Sequence, residues 1–173
     1  MLSHFTTEHA AILQEVDDFL RTFLHARLTQ MPARDHPALS LVYDSIYSYL
    51  HNGGRRMHAV SVVLAFEACG GTPRTAILPV AAAFQLYHYH TLVHDDIYDE
   101  DDHRRGTRTI HRRFADWFAA HSHVSPAAQA DGVFRTDIER RGAIAGWIQG
   151  KVVQSLALDA LLCAPFACDR LLP

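Results

Sequence analysis

Three features of the sequence predict an all-α chain. Apolar residues recur at helical spacing in segment after segment. Gly, Pro and Asn punctuate the ends of those segments. No stretch sustains the period-two alternation of a half-buried strand.

The first helix is expected over residues 7–29, where Ile12, Val16, Phe19, Leu20 and Phe23 fall on one face. Met31-Pro32-Ala33-Arg34-Asp35 is expected as a loop. Pro37 suits the first turn of a second helix, because proline's missing N–H would lack a partner there anyway. That helix carries Leu41, Ile46, Tyr49 and Leu50 and stops at Asn52-Gly53-Gly54. Met57 to Ala68 is apolar on nearly all sides and ends at Gly70-Gly71. Thr72-Pro73 then predicts an N-cap with proline in the first turn of a long buried helix reaching Glu100. Pro79 would kink or break it. Residues 103–109 form a basic loop around Gly106. A helix follows from Ile110, and residues 121–132 are expected as a surface loop with a short turn at Ser125-Pro126. The last helix spans Arg135 to Leu162, with Gly142, Gly146 and Gly150 permitting close packing.

The chain has 173 residues, 49% of them hydrophobic and 20% charged. That balance excludes disorder and suits one domain over 1–173, burying about 70% of its extended surface. A net charge of −3 and a pI near 6.5 give no basic field for nucleic acid. The longest apolar run, Ala76 to Phe84, is too short to cross a bilayer. No signal peptide is evident at Met1-Leu2-Ser3-His4-Phe5. Cys69, Cys163 and Cys168 form no Cys-x-x-Cys pair, so reduced thiols in a cytoplasmic chain are expected.

His94-Asp95-Asp96-Ile97-Tyr98-Asp99-Glu100-Asp101-Asp102 carries the chemistry. Asp95 and Asp99 lie one helical turn apart on one face, where like charges destabilise a helix by a few tenths of a kcal/mol. A hard divalent cation relieves that repulsion, and Mg²⁺ bridges carboxylates to phosphates while keeping some waters. A solvated acidic helix end is the plainer alternative. Against it, the run joins an apolar helix directly and is followed by Arg104, Arg105, Arg108, Arg112 and Arg113. Carboxylates for metal beside arginines for phosphate oxygens suit a metal-complexed diphosphate. His88 shares the carboxylate face two turns upstream, as a ligand donor or as a satisfied core histidine. His90 and His94 offer only half a zinc site. Gly53-Gly54-Arg55-Arg56 reads as an anion site at a helix start, or as a helix C-cap with two solvated arginines.

Together these segments resemble the trans-isoprenyl diphosphate synthases, or polyprenyl synthetases. The resemblance rests on Asp95-Asp96-Ile97-Tyr98-Asp99 with Arg104-Arg105-Gly106 and Thr109-Ile110-His111. It is extended by Gly53-Gly54-Arg55-Arg56, the His88–His94 helix and Gly150 to Leu162. It implies an all-α bundle of the isoprenoid synthase type, present as about half of the complete fold. It also implies metal at Asp95, Asp96 and Asp99, with Arg104 on an allylic diphosphate. Arg55, His58, His88 and Arg105 match positions that hold isopentenyl diphosphate. Asp95, Asp99 and Arg104 would carry the catalysis, an ionisation followed by condensation. His90, Thr91, Phe84 and Tyr87 match positions that limit product length, and their bulk implies a farnesyl- to geranylgeranyl-sized product.

The chain departs from the family at Arg55 for lysine, at His58 for arginine and at Lys151 for aspartate. Members are roughly twice as long, and no second aspartate-rich motif is present in the sequence given. The resemblance therefore implies a chain that acts with a C-terminal half or a partner subunit in a homo- or hetero-oligomer. The alternative is a non-catalytic prenyl-diphosphate-binding or regulatory subunit of a heteromeric synthase. A helical metal phosphohydrolase using His94-Asp95 ranks third, because it leaves Arg104-Arg105-Gly106 unexplained.

Overall fold

The computed structural model describes residues 2–30, 36–51, 54–123 and 133–167. Among them run six α-helices, a 3₁₀ turn and one two-stranded hairpin. The helices are α1 (Leu2–Leu28), α2 (Pro37–His51), α3 (Met57–Ala68), α4 (Leu78–Tyr98), α5 (Ile110–His121) and α6 (Asp137–Leu162). The hairpin pairs β1 (His103–Arg104) with β2 (Thr107–Arg108). The expected loop at 31–35, Asn52-Gly53, the turn at Ser125-Pro126 and Cys168 lie outside the described residues.

Two compact units share the chain. The first takes residues 1–32, 54–88 and 154–173; the second takes 33–53 and 89–153. Both α4 and α6 contribute to each.

In the first unit α1 packs against α3. Ile12, Val16, Leu20 and Leu24 form a fully buried stripe on α1 and meet an inward face containing Ala59, Val60 and Val63 of α3. Arg74 gathers Glu8, Glu15 and Glu67 around one guanidinium, tying the turn before α4 to α1 and α3. Arg27 holds Asp159 of α6 at 2.5 Å.

The expectation for α4 needs correction. Residues 74–76 form a separate 3₁₀ turn, and the helix starts at Leu78. Pro79 therefore stands in its first turn, where a proline opens a helix at little cost, and no kink is required.

In the second unit the centre is polar as well as apolar. Gln149 of α6 donates to the Ser45 hydroxyl at 2.5 Å and to the Tyr89 hydroxyl at 3.3 Å, and Tyr89 donates to the Ser45 carbonyl. All three side chains are buried. Thr136 accepts the Glu139 N–H, and Glu139 accepts the Arg135 N–H, which closes the start of α6 much as a capping box does. The glycines of α6 admit α5 and α4. A Cβ on Gly142 would meet the His111 carbonyl oxygen at 2.5 Å and the Ala115 amide nitrogen at 2.9 Å; one on Gly146 would press on His111 and Ile97.

Alanine at Gly142 gains about 1 kcal/mol of helix propensity. The clash is with backbone atoms, which yield only by shifting α5, at about 1–3 kcal/mol. Gly142→Ala is therefore expected to lower the melting temperature by several degrees in thermal unfolding followed by circular dichroism. A rise would contradict the close approach of the two helices.

His111 is buried at the start of α5. Burial first, and then the Arg112 charge, push its imidazole down to about 4 from 6.5. Between those values the unfolded chain binds a proton that the folded chain excludes. His111 thus contributes its full share of stability above pH 6.5 and loses it as the pH falls towards about 4. Urea midpoints measured across that range are expected to fall more steeply for the wild type than for His111→Asn.

Candidate metal and diphosphate site

The acidic end of α4 belongs to the second unit. Its residues divide by helical geometry. Tyr89, Val93 and Asp96 recur at spacings of four and three and are all buried, whereas Asp95 and Asp99 are exposed. The Asp99 N–H still donates to the Asp95 carbonyl at 2.8 Å, so helical geometry carries both carboxylates on one face.

Beyond them the helix closes in a Schellman pattern. The Asp101 N–H reaches the Asp96 carbonyl, and the Glu100 N–H reaches that of Ile97. Glu100 takes the left-handed conformation usual for glycine at this position, with φ 56°. The chain then reverses through the hairpin. Arg105 and Gly106 have φ of 51° and 79°, the signs of a type I′ turn, and the register pairs Arg104 with Thr107. The basic loop expected around Gly106 is this hairpin. Arg105 occupies its exposed tip.

Arg104 turns back onto α4. Its Nε donates to Asp96 Oδ1 at 2.5 Å, its Nη2 donates to Asp95 Oδ2 at 3.0 Å, and Asp101 stands 3.9 Å away. Burial pushes the Asp96 carboxyl above the usual carboxylate value, and Arg104 acts in the opposite direction. A recess of about 10 Å³ beside Asp96, lined also by Ser48, Thr107, Ile110 and Arg113, has room for no more than one water. Thr109, buried at the start of α5, donates to the Asp101 carbonyl and ties that helix to the acidic turn.

The other arginines of the basic run have structural partners. Arg108 grips Asp116 through two bonds of 2.8 Å. Arg112 pairs with Asp102 and Glu139. Arg113 donates to Ser48. Arg108, Arg112 and Arg113 are thereby accounted for within the scaffold.

His90 and His94 both face α6. His90 Nδ1 lies 3.1 Å from the Gly150 carbonyl, which makes Nδ1 the donor in a neutral ring. Burial, and then His94, push its pKa down. His94 stacks on Trp147 at 4.2 Å, with Nε2 at 3.2 Å from the Trp147 carbonyl. A Cβ on Gly150 would collide with the His94 ring. Of the two product-length positions here, Thr91 is exposed and His90 is committed to α6.

The remaining expected residues belong to the first unit. Arg55 is exposed beside Gly54. Arg56 is not the solvated arginine that the sequence suggested. It is buried, left-handed at φ 45°, and bonded to Asp17 at 2.9 Å. His58 and His88, expected to hold the same substrate, stack with centroids 4.1 Å apart. Phe84 and Tyr87 line an apolar recess of about 260 Å³ with Ala83, Ala157, Leu158 and Leu161.

No cluster of three or more His, Cys, Asp or Glu side chains able to hold a metal occurs among the described residues. Asp95 and Asp99 form a two-carboxylate donor set at an exposed helix end. That set suits Mg²⁺, which fills its other positions with water and phosphate oxygens.

Residues 40–122, a little under half of the chain, match the Polyprenyl synthetase family. The chain is 34% identical over 105 residues to the farnesyl diphosphate synthase of Micrococcus luteus, a stretch covering 60% of this chain and 36% of that protein. It is 45% identical over 73 residues to the geranylgeranyl pyrophosphate synthase of Geoglobus acetivorans, covering 42% and 23%. The solved structure of the geranylgeranyl pyrophosphate synthetase from the archaeon Geoglobus acetivorans aligns with a TM-score of 0.66 at 22% identity, covering 94% of this chain and 40% of that chain. That likeness shows the fold alone, the all-α arrangement of the aligned part of that structure. The matched segment contains the aspartate and arginine motifs on which the resemblance to that family rests. The chain spans about a third or less of these curated relatives.

Removing Asp96 strands the partly buried Arg104, whereas removing the exposed Asp95 leaves the short Asp96 contact in place. Asp96→Ala is expected to cost about 2–3 kcal/mol and Asp95→Ala less than about 1 kcal/mol. Both are read from urea unfolding. Equal costs would show that Arg104 does not depend on the buried carboxylate.

Proposed function

We propose that this chain is part of a Mg²⁺-dependent prenyltransferase that condenses an allylic diphosphate with isopentenyl diphosphate. Residues 1–173 would form part of one polyprenyl synthetase-like domain. The observation that carries this reading is the exposed Asp95–Asp99 pair at the end of α4, with Arg104 folded against it by the hairpin.

Asp95 and Asp99 would hold Mg²⁺, which when bound would supply positive charge to a departing pyrophosphate. Arg104 donates to the same diphosphate oxygens, and Asp96 orients Arg104 rather than binding metal. Positive charge placed where negative charge develops favours ionisation to the allylic cation. Arg55, His58, His88 and Arg105 would hold isopentenyl diphosphate, whose double bond attacks that cation before a proton is lost. Water must be kept out while the cation exists, and the apolar recess beside Phe84 and Tyr87 suits a prenyl tail. The bulk of Phe84 and Tyr87 in that recess supports a product of about farnesyl to geranylgeranyl size, while His90 and Thr91 stand outside its lining. The names of the relatives agree with that range.

Ile144, Trp147 and Ile148 of the second unit, and Leu158 and Leu162 of the first, are exposed large hydrophobics. Such surface supports action within a homo- or hetero-oligomer, or against a C-terminal half. No described helix is long and apolar enough to cross a membrane, and a cytoplasmic setting is proposed from the sparse cysteines. The departures at His58 and Lys151 favour one alternative, a prenyl-diphosphate-binding regulatory subunit without turnover.

A labelled allylic diphosphate incubated with isopentenyl diphosphate, Mg²⁺ and the chain, alone or with a partner subunit, is expected to yield a longer prenyl diphosphate. Asp95→Asn and Asp99→Asn should each lower turnover by at least about 100-fold. Mg²⁺-dependent diphosphate binding in calorimetry without product in any pairing would select the regulatory alternative. Absence of binding would remove both.

A further inference from the structure

The two contacts of Arg104 differ in kind. Its Nε bond to Asp96 is short, and the accepting side chain is 2% exposed. Its Nη2 bond to Asp95 is longer, and that side chain is 52% exposed. The cavity beside Asp96 is too small for a hydrated cation. One contact is therefore an anchor, and the other faces solvent, where competing ions reach it.

We propose that Asp96 is the positioning residue of Arg104, and that the anchored Arg104 serves as the counter-ion of Asp95 until a divalent cation replaces it there, which releases the guanidinium to the diphosphate. The inference rests on the reading of Asp95 and Asp99 as the magnesium pair. It adds an exchange that links metal loading to diphosphate recognition. Without metal, Arg104 closes on Asp95 and lowers the negative potential that would attract a cation. With Asp95 neutralised by metal, the Nη2 edge loses that partner. Its Nε remains on Asp96, so the edge that turns to the diphosphate is already placed. A single arginine thus opposes metal bound alone and favours metal bound with diphosphate, which is a coupling between two ligands.

The test measures Mn²⁺ binding to the full chain by the electron paramagnetic resonance signal of free Mn²⁺, with no diphosphate present. Binding of geranyl diphosphate under saturating Mg²⁺ is measured separately by calorimetry. Arg104→Met is expected to bind Mn²⁺ alone at least about threefold more tightly and geranyl diphosphate at least about tenfold more weakly. Asp96→Asn, which frees Arg104 to close fully on Asp95, is expected to weaken Mn²⁺ binding. A purely structural role would move both variants in the same direction. The double variant Asp96→Asn with Arg104→Met leaves no stranded buried charge, so it keeps the test open if Arg104→Met fails to fold. It should reproduce the gain in Mn²⁺ affinity. Unchanged or weaker Mn²⁺ binding in both Arg104→Met and the double variant, with wild-type diphosphate binding intact, overturns the exchange alone. A wild-type chain that binds no geranyl diphosphate with Mg²⁺ overturns the site reading beneath it.

Discussion

The buried ion pair between Asp96 and Arg104 organises the acidic end of α4. Repulsion among Asp95, Asp96 and Asp99 opposes the last helical turn. The pair places a positive charge inside that cluster, 2.5 Å from the one carboxylate that water does not reach. Because Arg104 is on β1, the same contact folds the hairpin back against the helix. The tight turn at Arg105-Gly106 and the Schellman closure at Glu100 complete the path. Both put non-glycine residues in the left-handed region, at about 1–2 kcal/mol each. Neither is favoured by local propensity, and a charge-assisted bond with a desolvated acceptor is strong enough to offset them.

Electrostatic order spreads outward from that pair. Arg108, Arg112 and Arg113 read as phosphate ligands by proximity in sequence, yet each is taken up by Asp116, by Asp102 and Glu139, or by Ser48. They lock the hairpin and α5 in place. Exposed pairs such as Arg108–Asp116 add little stability singly. Their consequence is orientational, because they fix where α5 begins and so where Thr109 and His111 point.

How much of this was legible in the sequence differs from element to element. The start of α2 follows from proline at a first turn and the end of α3 from glycine after a last turn, since those signals act locally. Pro79 reads in the sequence as a kink or a break, and the break is what the structure has, because the helix starts only at Leu78 after a separate 3₁₀ turn. The hairpin escaped notice because two-residue strands are too short to alternate, and Arg-Gly is not the usual Asn-Gly of its turn. The capping pattern Thr136-x-x-Glu139 is a local sequence signal for the start of α6. The inward spacing of Tyr89, Val93 and Asp96 separates the middle aspartate from its neighbours. The pairing of Arg56 with Asp17 had no local trace at all, because it joins residues far apart in the chain.

Thirteen histidines in 173 residues decide nothing by their number, and by spacing His90 and His94 of α4 read only as half a zinc site. His90 and His94 instead lie against carbonyls of α6 that Gly150 leaves approachable. A neutral imidazole satisfies a buried carbonyl without carrying charge, and burial holds His90 in that form. A lysine or arginine there would bring a fixed cation to the helix that bears the carboxylates and compete with Arg104 for Asp95. With an uncharged His90, Arg104 is the guanidinium seen in contact with Asp95. The packing of α4 on α6 thus leaves the electrostatics of the acidic motif to the hairpin.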